Sequence, residues 1–352
     1  MKICVISSTV FAVPLQGYGG LESIAWLQAK GLAALGHQVG LVAPNGSTCP
    51  GVTIIPCGPP GGWDELSAYG GVKDKGYAGY WQHLPQYDCL VDHSWNKHSF
   101  LLKMEGRLKA PILAVCHAPV NTMYQELPPV EKPCFVCISD DQKSHFEALF
   151  GRPARRLYNG VDTSYYQPLG ISRTKRHLFL ARFSSIKGPH LAIEACRAAG
   201  VGLDLVGDTS ITNEPEYFER CRKGCDGKEI RMVGPASRGE CVWWFSQANC
   251  LIHPVRDFRE PFGLAPVEAA ACGVPCISWD SGAMRETVKH DETGWLVRSE
   301  TDLLRIIERI KEAGIPDKMR QRCREWVCDN FTVDHMIRGL AALCDEAVSG
   351  GW

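Results

Sequence analysis

The sequence predicts two doubly wound α/β domains in tandem, on three observations. Short apolar runs of strand type alternate with helical patterns along nearly the whole chain, the signature of βαβ units and parallel sheets. That alternation breaks once, in the polar, turn-rich stretch NGVDTSYYQPLGISRTKRH at 159–177, and then restarts. At 352 residues the chain has room for about two domains, each with its own core.

The first strand is expected at Lys2 to Ser8. A glycine-rich turn, QGYGG, follows, and from Gly20 to Leu35 the residues Leu21, Ile24, Ala25, Leu32 and Leu35 recur on one helical face. Gly36 closes that helix and QVGLVAP supplies the second strand. Further strands are expected at 52–56, 89–93, 112–117, 134–139 and 155–160, with 58–75, rich in Pro and Gly and without a period, as a long loop. After the break, the strands HLFLAR, LDLVG, IRMVG, CLIHP, PCISW and GWLV alternate with helices at 189–199, near 214–224, near 239–247 and at 264–272. From about Asp302 the chain reads as helical. The domains are therefore expected at 1–165 and 166–332.

Composition narrows the function classes. A hydrophobic content of 45% and a charged content of 22% are ordinary for a globular protein. The formal net charge of -1 gives no electrostatic footprint for nucleic acid. The opening MKICVISSTVF turns polar too early for a secretory signal, and no run reaches membrane-spanning length, so a cytoplasmic location is expected. Among the 17 Cys, Cys4, Cys89, Cys116, Cys250 and Cys276 sit in apolar runs, where a thiol acts as a small hydrophobe. Cys134 and Cys137 form a CxxC inside a strand-like run with no second pair at zinc spacing. Reduced structural thiols and no metal are expected.

The segment REPFGLAPVEAAACGVP carries the most chemistry. Pro261 and Gly263 favour a loop, Pro266 suits the first turn of a helix, and Gly273 with Pro275 stops that helix. Glu260 then lies in a loop and Glu268 in a short helix, both facing one cleft. The amides around Phe262, Gly263 and Leu264 sit at the positive helix end, which attracts an anion. Two carboxylates beside such amides suit a polyhydroxylated ligand that carries phosphate. The plainer alternative makes Glu260 a solvated loop charge and Glu268 a dipole-favoured helix residue. In LARFSSIKGPH, Arg182 ends a strand, Lys187 follows in the loop, and Gly188-Pro189 opens the next helix, an arrangement suited to clamping a diphosphate. A surface charge pair is the alternative.

Near the start, GYGGLES reads Gly17-x-Gly19-x-x-Glu22, so an acid replaces the last glycine of a dinucleotide fingerprint, and no acid closes the second strand. A dehydrogenase is disfavoured, although Gly19 and Gly20 still let backbone amides approach a phosphate. No Asp-x-Asp and no G-x-x-x-x-G-K-[ST] occurs. A departing diphosphate is then neutralised by Arg182, Lys187 and the helix end.

Taken together, the residues resemble the retaining glycosyltransferases of family 4. The resemblance spans nearly the whole chain: GYGGLES, CHAP at 116–119, NGVD at 159–162, ARFSSIKG at 181–188, EPFGLAPVEAAACGVPCIS at 260–278 and SGAMRETVKHDETGWLV at 281–297. It implies a GT-B fold, two Rossmann-like domains facing across a cleft, with donor binding in the C-terminal one. A last helix at 333–352 is implied to cross back to the N-terminal domain, with Leu340, Leu343 and Ala347 as its contact face.

Residue by residue, Glu260 is implied to accept hydroxyls of the donor sugar, and the amides of Phe262, Gly263 and Leu264 to hold sugar and diphosphate. Glu268 is implied to bind the ribose. Arg182 and Lys187 grip the diphosphate, and Gly19 and Gly20 close on it. His117 matches a histidine near the reacting centre; a strand-end core histidine is the other reading. Arg256 and Arg259 make the stretch before Glu260 more basic than is usual in the family. The implied activity is metal-independent, retaining transfer from a nucleoside-diphosphate sugar, a UDP-sugar first and GDP- or ADP-sugars after it, with no cofactor. A glycan, a lipid-linked carrier or a small molecule would be the acceptor. A nucleotide-sugar 2-epimerase of the same scaffold and a non-catalytic sugar-nucleotide sensor are the rivals. The aromatics Trp63, Tyr69, Tyr77, Tyr80, Trp81 and Trp95 suit stacking on an acceptor, with ordinary packing as the alternative.

Overall fold

The structure, a computed structural model, describes residues 1–15, 17, 19–61, 80–95, 97–120, 134–209 and 212–351. Trp63, Tyr69, Tyr77 and most of the 58–75 loop lie outside the described residues. The chain divides into two compact units, Met1–Gly160 with Val333–Trp352, and Val161–Thr332.

In the first unit β1 (Lys2–Ile6), β2 (Gln38–Ala43), β3 (Thr53–Pro56), β4 (Cys89–Asp92), β5 (Ile112–Cys116), β6 (Cys134–Cys137) and β7 (Ala154–Arg156) form one sheet. Its order is β3-β2-β1-β4-β5-β6-β7, and every neighbouring pair is parallel. The central strands are buried on both faces, which is why they read as continuous apolar runs rather than alternating ones. The helices are α1 (Gly20–Ala34), α2 (His98–Met104), α3 (Asp140–Phe150) and α11 (Val333–Val348). The sequence reading overlooked α2 and α3, although Ser139 caps α3 by accepting from the Gln142 amide and Gly151 ends it at φ 59.

Three expectations need correction here. Leu35 lies one residue past the end of α1 and is 49% exposed, while Gln28 and Ala29 take buried places on that helix. On α11 the buried face is Met336, Ile337, Leu340, Cys344 and Ala347, and Leu343 is only half-buried. The i, i+4, i+7 spacing of 340, 344 and 347 puts Cys344 on the stripe and turns Leu343 off it. The strand expected at 155–160 is the shorter β7, and the chain beyond Arg156 leaves the sheet. Gly31 lets α11 approach α1 closely, because a Cβ there would collide with Ile337.

Cys134 and Cys137 are three apart on a strand and therefore point to opposite faces. Cys137 joins Cys116 and Phe135 in one core cluster. Cys134 is on the face where Cys89 meets Cys344. Both are free thiols; burial pushes Cys134 up to about 11, and the Cys116 contact followed by burial raises Cys137.

The second unit holds β8 (His177–Leu180), β9 (Leu203–Val206), β10 (Ile230–Gly234), β11 (Leu251–His253), β12 (Cys276–Trp279) and β13 (Gly294–Val297) in the order β10-β9-β8-β11-β12-β13, again parallel. Its helices are α4 (Pro189–Ala199), α5 (Pro215–Lys223), α6 (Arg238–Gln247), α7 (Leu264–Ala271), α8 (Met284–Thr287), α9 (Glu300–Ala313) and α10 (Asp317–Asn330). Each sheet reverses its winding once, at β1/β4 and at β8/β11. Ligands of such sheets bind beyond the carboxyl ends of the two strands at that reversal.

Candidate active site

In the second unit the residues beyond β8 and β11 converge. After β8 the chain passes Arg182, which is half-buried, and makes a 3-10 turn at Ser185–Lys187. Gly188 ends the turn at φ 66, and a Cβ there would come 2.7 Å from the Pro254 carbonyl oxygen. Only glycine lets this turn lie against the loop after β11. The Lys187 Nζ is consequently 2.5 Å from Oε2 of Glu260, and His253 Nε2, at the end of β11, is 3.6 Å from the same oxygen. The second distance is too long for a hydrogen bond. The Phe258 ring lies under the ammonium at 5.2 Å.

Glu260 is therefore not a solvated loop charge: its side chain is 12% exposed. Burial pushes its carboxyl up, but the Lys187 charge and His253 together outweigh that and hold it at about 2. Burial also lowers His253, against the pull of Glu260. The Glu260 backbone is fixed by the Ala283 amide, which donates to its carbonyl at 3.0 Å. At Gly282, φ +59, a Cβ would meet the Glu260 oxygen at 2.5 Å and nitrogen at 2.8 Å.

Glu268 has different surroundings. It is half-buried on α7, and burial raises its carboxyl against the Arg238 charge and the Tyr166 hydroxyl. Arg238 opens α6 behind a capping box of Ser237 and Glu240. Phe262 turns its ring into the core, 2% exposed and edge-on to Phe331 at 5.7 Å, so only its backbone faces outward chemistry. Gly263 caps α7 at φ 79 with no side-chain cap, and the first amides of that helix have no intrahelical acceptor. The sequence reading missed His253, Arg238 and Tyr166. His253 had a signal, a polar residue closing the apolar run CLIHP; the other two had none before folding.

In the first unit Gly19 precedes α1 at φ 142 and Gly20 opens it. Glu22, to which the sequence reading gave no binding role, is buried there and accepts from the Ser8 hydroxyl. Burial raises its carboxyl. His117 follows β5 and is half-buried, its Nε2 2.7 Å from Nδ1 of His93, which follows β4. His93 Nε2 lies 2.9 Å from Oε1 of Gln28 on α1. Beside the pair is a buried lysine, Lys97, at φ 48, donating to the carbonyls of Asp92 at 2.8 Å and Val115 at 3.0 Å. The Asp92 carboxylate accepts from the Ser94 amide and hydroxyl and from Ser99. Burial, followed by the Lys97 charge, lowers His117 to about 3, so its imidazole is neutral at physiological pH.

The acceptor-stacking expectation fails for Tyr80. It is 1% exposed and packs in the core of the first unit, leaving no ring face open. Trp81 is 39% exposed with the Arg107 guanidinium 4.8 Å over its ring, and Trp95 is half-buried. A concavity of about 620 Å³ in the second unit is lined by Thr174, Arg176, Arg231, Trp243 and Trp244 and includes none of Arg182, Lys187, Glu260 or Glu268. No helix among the described residues is long and apolar enough to cross a membrane.

Comparison with known proteins follows the two units. Residues 165–326 match the model of glycosyl transferases group 1, and residues 18–165 match that of glycosyltransferase family 4. A D-inositol 3-phosphate glycosyltransferase of Jonesia denitrificans is 30% identical over 309 residues, 74% of this chain and 72% of the relative. D-inositol 3-phosphate glycosyltransferase 1 of Catenulispora acidiphila is 24% identical over 339 residues, 79% of this chain and 78% of its own. Among solved structures, Anabaena HepE in complex with UDP and glucose superposes with a TM-score of 0.77 at 18% identity, over 98% of this chain and 99% of that one. Sucrose-phosphate synthase of Thermosynechococcus elongatus gives 0.78 at 20% identity, over 99% of both.

Proposed function

The chain belongs to the group 1 and family 4 glycosyltransferases, and from that premise we propose that it transfers a sugar from a nucleoside-diphosphate sugar, a UDP-sugar first, to an acceptor hydroxyl with retention of configuration and without a metal. The observation that carries this reading is the Lys187–Glu260 pair beyond the carboxyl ends of β8 and β11, where a sheet of this winding takes its ligand. An ionised, nearly buried carboxylate accepts hydrogen bonds from sugar hydroxyls. An ammonium beside it offsets the charge that grows on a leaving diphosphate. Arg182 on the same loop and the uncapped start of α7 add to that positive field. Glu268, between Arg238 and Tyr166, suits the ribose hydroxyls.

With the cations supplied by the protein, the leaving phosphate accepts the acceptor's proton as the new bond forms on the face it vacates. A separate general base is not needed, which agrees with a neutral His117 that has little basicity left. The test is a panel of UDP-, GDP- and ADP-sugars read by thermal shift and nucleotide release. The relatives named for inositol 3-phosphate make a cyclic polyol phosphate the first acceptor to try. Stabilisation by one donor class with acceptor-dependent release supports the reading. No stabilisation and no release across the panel overturns it. NMR of the donor incubated alone separates transfer from 2-epimerisation, which makes a new epimer without acceptor.

A further inference from the structure

We propose that His93 is a positioning residue for His117: with Gln28 it forms a chain of hydrogen bonds that fixes the proton of His117 on Nε2 and leaves Nδ1 as a bare acceptor. The groups come from three elements. Gln28 is on α1, His93 follows β4 and His117 follows β5, the strand paired with β4. Gln28 and His93 are each 1% exposed, so their polar atoms have no bulk water to turn to.

Proton bookkeeping then sets each role. Oε1 of Gln28 only accepts, so the Nε2 of His93, 2.9 Å away, carries a hydrogen. A neutral imidazole has one N–H, so Nδ1 of His93 is an acceptor. Across the 2.7 Å contact the Nε2 of His117 must donate. The remaining nitrogen of His117, Nδ1, keeps its lone pair.

The site also disfavours a second proton. Lys97 is 3% exposed, and its ammonium bonds the carbonyls of Asp92, the last residue of β4, and Val115, the penultimate residue of β5. One cation thus ties together the two strand ends that carry the histidines. An imidazolium beside it would add like charge in a desolvated place. The Lys97 backbone is left-handed, unusual for a residue with a Cβ, and such strain persists where the surroundings hold it. His117 so held is an acceptor for a hydroxyl and not a proton donor at Nδ1. The identity of that hydroxyl as one on a sugar rests on the glycosyltransferase reading; the tautomer does not.

The experiment is imidazole nitrogen NMR on the full chain labelled with ¹⁵N-histidine, with His117 assigned by His117→Gln. His117 is expected neutral with its proton on Nε2 at pH 7. In His93→Leu the tautomers mix, and kcat falls by about 10-fold or more, on the scale seen when a partner that orients a metal-ligating histidine is removed. His93→Asn, whose Oδ1 can accept in place of Nδ1, restores the Nε2–H tautomer and most of kcat. Gln28→Met is the milder variant if His93→Leu does not fold, and it loosens the tautomer in the same direction. A His117 proton on Nδ1, or an imidazolium at pH 7, overturns the proposal. So does an unchanged tautomer in a folded His93→Leu protein. The expected tautomer in a protein that turns over no nucleotide sugar supports the proposal and removes only the proposed function.

Discussion

Lys187 and Glu260 are 73 residues apart in sequence and 2.5 Å apart in the structure. Each neutralises the other; under the proposed function, donor phosphate oxygens would replace Glu260 at the ammonium and sugar hydroxyls would replace Lys187 at the carboxylate. Lys187→Ala and Glu260→Ala are each expected to lower kcat/KM by 10²-fold or more, a loss of about 2.7 kcal/mol in transition-state stabilisation. Because the two form one unit, the double variant is expected to lose less than the sum. Steady-state kinetics on the three proteins checks both statements, and strict additivity refutes the second.

The same pair makes stability depend on pH. A carboxyl held at about 2 in the folded chain, against an ordinary 4.5, stabilises fully above about pH 5 and loses that contribution as pH falls towards 2. The shift corresponds to about 3 kcal/mol. Urea unfolding of the wild type and Glu260→Gln is expected to differ near pH 6 and to converge near pH 2.

His117 acts in a higher window. Its pKa falls from 6.5 to about 3 on folding, so the unfolded chain binds the proton first and stability drops as pH goes from about 6.5 towards 3. Replacing His117 with Gln should make that part of the profile shallower, the remainder coming from His93, His177 and His253, which burial also lowers, while leaving the acid limb of Glu260. A slope between pH 6 and 4 as steep as that of the wild type would argue against a neutral buried imidazole at His117.

Gly282 and Gly36 separate contact from backbone conformation. Both have positive φ, but a Cβ at Gly282 strikes the Glu260 backbone, and at Gly36 it meets nothing within 4 Å. Gly36→Ala is expected to cost about 1–2 kcal/mol of stability and no activity. Gly282→Ala should displace Glu260 and cost activity as well, which melting curves and donor turnover will show.

Trp81 and Tyr80 are neighbours with different fates. Trp81→Ala is expected to raise the acceptor KM and leave slow donor hydrolysis unchanged. Tyr80→Ala should act through the core instead, at about 3–5 kcal/mol of stability, as for other buried aromatics. Equal loss of transfer and hydrolysis in Trp81→Ala would remove it from the acceptor side. Full turnover is likewise expected in excess EDTA, measured against an added-magnesium control.

The alternation of strands and helices was legible because doubly buried strands are apolar throughout and glycines stop helices at Gly36 and Gly273. Glu260, Glu268, Arg182 and Lys187 were legible as residue types at strand and helix ends. Their partners were not. Lys187 meets Glu260 only because β11 lies beside β8, His253 meets it only because the loop after β11 folds back on the strand end, and the Arg238 charge reaches Glu268 only once the fold brings the start of α6 near α7. Tyr80 misled because an aromatic in a Gly-rich stretch looks the same in sequence whether it enters the core or the solvent. The Gln28–His93–His117 chain was invisible for a similar reason: Gln28 sits mid-helix at a position that periodicity assigns merely to the buried face.

Because α11 packs on α1, β4 and β5 but is encoded after the whole of Val161–Thr332, the nascent first sheet leaves the ribosome with one flank bare. The intervening unit is continuous in sequence and can finish folding while its predecessor still waits for a cover. Chaperone dependence during synthesis should therefore track the first unit, and grafting residues 333–348 ahead of Met1 through a linker should relieve it.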